Sequence, residues 1–189
     1  RAAAATRATY MALIRELQAQ GQSFAALAHV AQYEARWGAS PDSQVLRADA
    51  LRATGQADAA AQAYRQLLDG PRAAAGHRGL GLLEASQDRW DAAIAQFAAA
   101  ARLDPTDGHT LGDLGYAQLR AGRIEQARVP LMTAAQLLPR DARTLANLAA
   151  YFIAAGQQAQ ADAVLRSPHV TDSARALLRG AQAEAMPTH

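Results

Sequence analysis

Turn-forming residues recur along this chain at Gly21, Gly55, Asp88, Gly122 and Gly156, separated by 34, 33, 34 and 34 residues. A period of that size restricts a chain to an array of like supersecondary units, each burying its apolar face on the next. Three further columns keep the same step. Alanine stands five residues after each turn, at Ala26, Ala60, Ala93, Ala127 and Ala161. A larger apolar residue follows four later, at Val30, Tyr64, Phe97, Leu131 and Leu165. Pro71, Pro105 and Pro139 close three of the units at a constant interval of 34.

Between these columns the apolar residues follow a helical period. Leu111, Leu114 and Gly115 fall at i, i+3 and i+4, and Leu145, Leu148, Ala149 and Phe152 at i, i+3, i+4 and i+7. Each unit therefore reads as helix, turn, helix and connector. The pattern predicts helices at 5–20, 23–37, 42–54, 57–69, 73–86, 90–102, 107–121, 124–137, 141–155, 158–166 and 171–184. The alanine excess supports this, since Ala is the best helix former and lets helices approach closely. In the last helix, Ala174, Leu177 and Leu178 share one face of an otherwise polar segment, as expected of a cap on a repeat array, with Thr171 or Asp172 at its start.

The motifs resemble the tetratricopeptide repeat. Its signature is a Leu-Gly in the first helix, a small residue early in the second, a bulky one four later, and a closing proline. The segment "GLGLLEASQDRWDAAIAQFAAAARLDP" at 79–105 supplies Leu80-Gly81, Ala93, Phe97, Ala100 and Pro105. The segment "DLGYAQLRAGRIEQARVPLMTAAQLLP" at 113–139 supplies Leu114-Gly115, Ala127, Leu131, Ala134 and Pro139. The outer units depart from the pattern: Arg47-Ala48 replaces Leu-Gly, and the fifth unit breaks at Pro168. The resemblance implies an all-α solenoid of about five helix-turn-helix repeats in one domain, 1–189, with repeats near 7–40, 41–72, 73–106, 107–140 and 141–168 and a capping helix at 171–184.

Two residues in the fourth unit go against helix propensity. Gly115 is expected to let its helix close on Ala127, so that Gly115→Leu overpacks the pair by roughly 1–3 kcal/mol. Pro130 lies beyond the first turn of its helix, lacks the N–H that would bond the Gln126 carbonyl, and is expected to kink it.

Nothing in the sequence assembles an enzyme site, and no cofactor or metal is expected. His29, His77, His109, His169 and His189 lie at no metal-ligand spacing, and neither HExxH nor GxSxG occurs. "GHRGLG" at 76–81 lacks the spacing of a phosphate loop. Asp104, Asp107 and Asp141 sit at connectors, where capping accounts for them. Cysteine is absent, removing thiolate chemistry and disulfides. The balance of 19 basic and 17 acidic residues gives +2, with no basic stripe for nucleic acid, and every basic residue is Arg. No apolar run has the length of a membrane span, so a membrane is expected to be reached only through a lipid anchor outside this chain.

The resemblance places a partner protein or peptide in a groove lined by the first helices. Its inner-face positions correspond to His109, Asp113, Tyr116 and Arg120 in the fourth unit, Arg78, Leu82 and Ser86 in the third, Arg143 and Asn147 in the fifth, and Asp49 and Arg52 in the second. The chaperone-binding clamp of the family is not expected, because its positions hold Met11, Arg15, Val45 and Asp49 and no Lys exists. The run "DLGYAQLRAGRIEQARVPLMTAAQLLP" followed by "LANLAAYFIAAGQ" is also similar to TadD-like lipoproteins of the Tad (Flp-type) pilus assembly group, the block "GYAQLRAGRIEQARVPL" accommodating Pro130. That similarity implies a periplasm-facing outer-membrane adaptor in pilus assembly or secretion, with a secretin or pilus component as partner. The residues leave open a recognition arm of a larger enzyme or regulator, or a cytosolic scaffold.

Overall fold

The computed structural model describes residues 2–184, which form eleven helices and no strand; Arg1 and His189 lie outside the described residues. The helices are α1 (Ala2–Ala19), α2 (Ser23–Trp37), α3 (Pro41–Ala53), α4 (Ala57–Arg65), α5 (Ala73–Ala85), α6 (Trp90–Leu103), α7 (Gly108–Arg120), α8 (Ile124–Leu137), α9 (Ala142–Ala154), α10 (Gln158–Leu165) and α11 (Asp172–Glu184). They fall into two compact units, Arg1–Gln87 and Asp88–His189, the division lying at the turn of the third repeat.

Within the first unit α1 packs on α2, α2 on α3, α3 on α4 and α4 on α5, while α1 also meets α3 and α3 meets α5. Within the second, α6 to α10 pack successively in the same way, and α9 meets both α7 and α11. Within each unit, first helices of neighbouring repeats thus touch one another, and in the second α11 takes the place of the next first helix.

The periodic columns are the cores of these pairs. Ala26, Ala60, Ala93, Ala127 and Ala161 are fully buried, and so are Val30, Tyr64, Phe97, Leu131 and Leu165 beside them. The turn column is equally uniform, with φ between 56° and 78° at Gly21, Gly55, Asp88, Gly122 and Gly156. At Gly122 the chain ends α7 with two reverse bonds, Gly122 N–H to the Leu119 carbonyl at 3.0 Å and Arg123 N–H to the Gln118 carbonyl at 2.8 Å. This left-handed cap satisfies orphan carbonyls and turns the chain at once into the next helix. Asp88 is the one non-glycine with positive φ among the described residues.

The connectors are closed by side chains. Asp107 caps α7 and Asp141 caps α9, as the sequence suggests, and Ser40 caps α3 through a reciprocal box with Ser43. The Asp104 carboxylate accepts from the Thr106 N–H and hydroxyl within its own turn. Thr171, rather than Asp172, supplies the cap of α11 by accepting from the Ala174 N–H at 3.2 Å.

Two details differ from expectation. α4 ends at Arg65, four residues before the expected 69, because i→i−3 bonds tighten the chain from Leu67 to Gly70. That tight turn lets α5 close on α4: a Cβ at Gly76 would stand 2.8 Å from the Tyr64 carbonyl, and one at Gly79 would overlap the Tyr64 ring. α8 runs through a buried Pro130 to Leu137, the extent that the pattern predicts. Gly115 packs chiefly beneath the Leu131 side chain, with the Ala127 carbonyl 3.3 Å from where its Cβ would be. Gly81 is buried in α5, Pro105 and Pro139 stand exposed in connectors, and α10 stops before Pro168 as the broken fifth unit implies.

Arg175 ties the capping helix down. Its guanidinium donates to the carbonyls of Leu165 at 2.8 Å, Ser167 at 3.1 Å and Val170 at 3.0 Å, and to Asp172. It therefore satisfies the end of α10 from α11, while Ala174 and Leu178 pack on Leu145, Ala149, Leu165 and Val170. Arg175→Ala is expected to cost about 1.5–3 kcal/mol, since hydrogen bonds to a charged group are lost and carbonyls are left unpaired. Amide exchange should accelerate in α11 and spare α7; unchanged protection in α11 would contradict this role.

Candidate protein-binding surface

Helix α7 presents Asp113, Tyr116 and Arg120 along one face, and α9 brings Arg143 against it. Arg143 donates to Asp113 at 2.7 Å; the Asp113 side chain is 3% exposed and that of Arg143 is 62% exposed. Asp113 thus orients Arg143, whose guanidinium faces outward, and is not itself an exposed contact. His109 is exposed at the start of α7, near Asp141. Asn147 is half-buried on α9. In the first unit, Arg78 and Leu82 are half-buried on α5.

Tyr116 and Arg120 are brought together one helical turn apart, with Arg120 donating to the phenol oxygen at 3.0 Å. Sequence reasoning missed their third member. Trp90, at the start of α6, meets the Tyr116 ring edge-on at 6.0 Å and lies 4.5 Å beneath the Arg120 guanidinium. Asp88 approaches the same guanidinium at 3.6 Å. The sequence signal was an aromatic at a helix start, but only the α6–α7 packing shows what it meets. A cation held over an indole gains about 0.5–1 kcal/mol at an exposed site. The larger consequence is preorganisation, because an arginine already fixed loses less entropy on binding.

A second polar group lies within the first unit. Tyr64 donates to Asp49 at 2.6 Å and accepts from Arg52 Nε at 3.2 Å. Burial raises the Asp49 carboxyl above its ordinary value, against the lowering effects of the Tyr64 hydrogen bond and of Arg52 and Arg78. Burial, reinforced by the Asp49 charge, also raises the Tyr64 phenol. A carboxyl whose pKa is higher in the folded chain than in the unfolded one supports folding fully below the unfolded value of about 3.9. That support is lost as pH rises through the folded value. Asp49→Asn keeps an acceptor for Tyr64 and removes the titration. The variant should therefore gain stability relative to wild type as pH rises from about 4. Parallel pH–stability curves in urea titrations would refute this.

An opposite case is Asp141, held below the ordinary carboxylate value chiefly by the Thr144 hydroxyl, with the Thr144 N–H adding to it. Its capping contribution is present above the unfolded value and fades as pH falls through the folded one.

Near the N-terminus, Tyr10, Tyr33 and Trp37 form an aromatic cluster with ring centroids 5.1–6.3 Å apart. Among the described residues no group of three His, Asp or Glu side chains is placed to hold a metal, and no helix is long and apolar enough to cross a membrane.

No protein-family model matches the chain. A tetratricopeptide-repeat-containing protein of Pseudomonas aeruginosa is 35% identical over 112 residues, which cover 59% of this chain and 44% of that protein. The chain thus spans less than half the length of this curated relative. Among solved structures, a thermophilic tetratricopeptide-repeat protein of Thermus thermophilus superposes with a TM-score of 0.73 at 19% identity, covering 95% of this chain and 98% of the other. PilF of Pseudomonas aeruginosa gives 0.70 at 16% identity, covering 100% and 80%. MamA of Desulfovibrio magneticus gives 0.62 at 15%, covering 93% and 96%. At such identities these structures report fold, and the fold they share with this chain is the all-α array of helix-turn-helix repeats that the 34-residue columns require. The chain has the tetratricopeptide-repeat fold.

Proposed function

We propose that this chain is a non-enzymatic adaptor that binds a partner protein or peptide through its first-helix layer. The observation that carries this reading is the Trp90–Tyr116–Arg120 stack beside Arg143, where aromatic and arginine side chains are held rigidly at an open surface. Tyr, Trp and Arg are the residues enriched at the centres of interfaces. The repeat fold is generally used for interaction rather than catalysis.

The finer reading is an accessory role in assembling a bacterial pilus or secretion apparatus, at the periplasmic side of the outer membrane. It rests on the similarity of the 115–131 block to TadD-like proteins and on the fold shared with PilF.

Co-purification from bacterial cells with wild-type and Tyr116→Ala/Arg120→Ala baits tests both levels. Loss of two central contacts of this kind should weaken a bound partner by at least about 30-fold. Equal recovery of every bound protein by both baits would remove this surface from the adaptor reading. Recovery of pilus or secretin components supports the finer role, whereas Tyr116-dependent recovery of unrelated proteins alone would refute it.

A further inference from the structure

Among the described residues, three of the large apolar side chains that stand exposed lie on α8: Val129 at 71%, Met132 at 38% and Leu137 at 42%. The others, Leu13, Phe24, Leu103 and Leu177, are scattered singly over α1, α2, α6 and α11. α8 is the second helix of its repeat, so its outward face belongs to a layer other than the first-helix surface described above. Ala127, Pro130, Leu131 and Ala134 turn into the core. That leaves Glu125, Val129, Met132 and Gln136 exposed on the opposite face, at i, i+4, i+7 and i+11. The second helices before and after it place alanine outward instead, at Ala92 and Ala95 on α6 and at Ala159 and Ala163 on α10. Alanine is the better helix former, and apolar surface left in water stabilises nothing. Contiguous exposed apolar side chains of this kind mark a contact. The charges at the two ends of the face are opposite. Glu125 is exposed in the first turn of α8 and Arg140 is exposed in the turn that follows the helix, and neither makes an ion pair among the described residues.

We propose that this face pairs with the same face of a second copy of the chain, α8 against α8 and antiparallel. A two-fold contact of this kind needs a surface that complements itself. The order acid, valine, methionine, glutamine, base does so when it is reversed. Centred on Met132, the pair sets Met132 against Met132 of the second copy, and Val129 against the stem of that copy's Gln136. Glu125 then points toward Arg140 of the second copy, and the reverse pair forms at the other end. A parallel pair would set Glu125 against Glu125 and Arg140 against Arg140. Arg128 falls beside Leu137 of the second copy, where its aliphatic stem covers the leucine and its head stays in water. Alternate steps of four and three residues along the face are those of helices packed at a shallow crossing angle. A single helix face covers less than the roughly 1,200–2,000 Å² of a stable complex, so the pairing is weak, with a dissociation constant of about 10–500 μM. A membrane surface fits less well, because Glu125 would be pressed toward anionic headgroups. Joined copies carry two partner-binding surfaces and gain avidity for a multivalent partner. That consequence rests on the adaptor reading, whereas the pairing does not.

The test is sedimentation equilibrium of the whole chain at low salt, from about 10 μM to about 1 mM, a range that brackets the expected constant. The average mass should climb from one copy toward two. Met132→Lys should weaken the pairing at least about tenfold, since two cations then meet at the centre of the contact. Glu125→Arg and Arg140→Glu should each weaken it about tenfold, because each replaces two attractive pairs by two like-charge pairs. The double variant Glu125→Arg/Arg140→Glu should recover to within about threefold of wild type. An equimolar mixture of the two single variants should pair more tightly than either alone, because opposite charges then face each other at both ends. Charges outside a two-fold antiparallel contact would not give that pattern. All these side chains are exposed, so melting curves should stay close to wild type. A chain that stays monomeric at about 1 mM, or a dimer indifferent to Met132→Lys and to both charge reversals, would overturn the proposal. So would a monomer that sediments with phosphatidylglycerol vesicles in a Met132-dependent way, which reassigns the face to a lipid surface. The Tyr116→Ala/Arg120→Ala variant should pair as wild type does. Failure of the pairing beside a Tyr116-dependent partner would sink the dimer and leave the adaptor reading standing.

Discussion

Tyr64→Ala is expected to lower the stability of the first unit by about 3–5 kcal/mol, the range for removing a large aromatic from a core. The side chain is fully buried, and its ring fills the space that Gly79 leaves open on α5. Its hydroxyl also holds Asp49 and Arg52, so the truncation removes the hydrogen-bond donor to a carboxylate already raised by burial. Tyr64→Phe separates the two effects. It keeps the ring and should cost about 1–2 kcal/mol for the lost hydrogen bond and the unsatisfied acceptor. The informative measurement is urea unfolding combined with amide exchange, because a repeat array need not unfold as one cooperative block. Exchange should accelerate across α3, α4 and α5. An alanine variant as stable as the phenylalanine variant would mean that the ring is not packed as described.

The second large effect concerns Gly115→Leu, expected to cost about 3 kcal/mol, at the upper end for overpacking. A Cβ there would lie 2.7 Å from Leu131 Cδ2, closer still to its Cγ, and 3.3 Å from the Ala127 carbonyl. Leu131 is fully buried, so it can yield only by displacing its neighbours. A sign reversal makes the test specific. Gly115→Ala should destabilise the wild-type chain, yet stabilise a Leu131→Ala background by up to about 1 kcal/mol, the helix-propensity advantage of Ala over Gly. Coupling of that sign between two residues marks direct contact. Additive effects would show that 115 and 131 do not meet, and the reason for glycine in this helix would have to be sought elsewhere.

The surfaces were less legible than the repeats. Tyr116, Arg120 and Arg143 could be placed on one layer of helices because helical spacing and repeat register fix which way they point. Spacing alone did not show that Asp113 is buried beneath Arg143, since the pairing crosses from α7 to α9. Trp90 escaped notice for the same reason: as a helix-start residue it reads as ordinary packing until α7 supplies Tyr116 and Arg120. Arg175 reaches from the capping helix to the carbonyl end of the preceding helix, a contact that no local pattern shows.

What the sequence determined by itself was everything governed by interactions within a few residues. Glycines or an aspartate at left-handed turns, apolar residues at helical spacing and capping aspartates set eleven helices and their buried columns. What only the tertiary structure decided was where α4 stops, what Gly79 and Gly115 make room for, and which charges meet. Those outcomes depend on how closely two helices approach. That distance is set by side chains far apart in the chain competing for the same space, and a periodic pattern carries no measure of it.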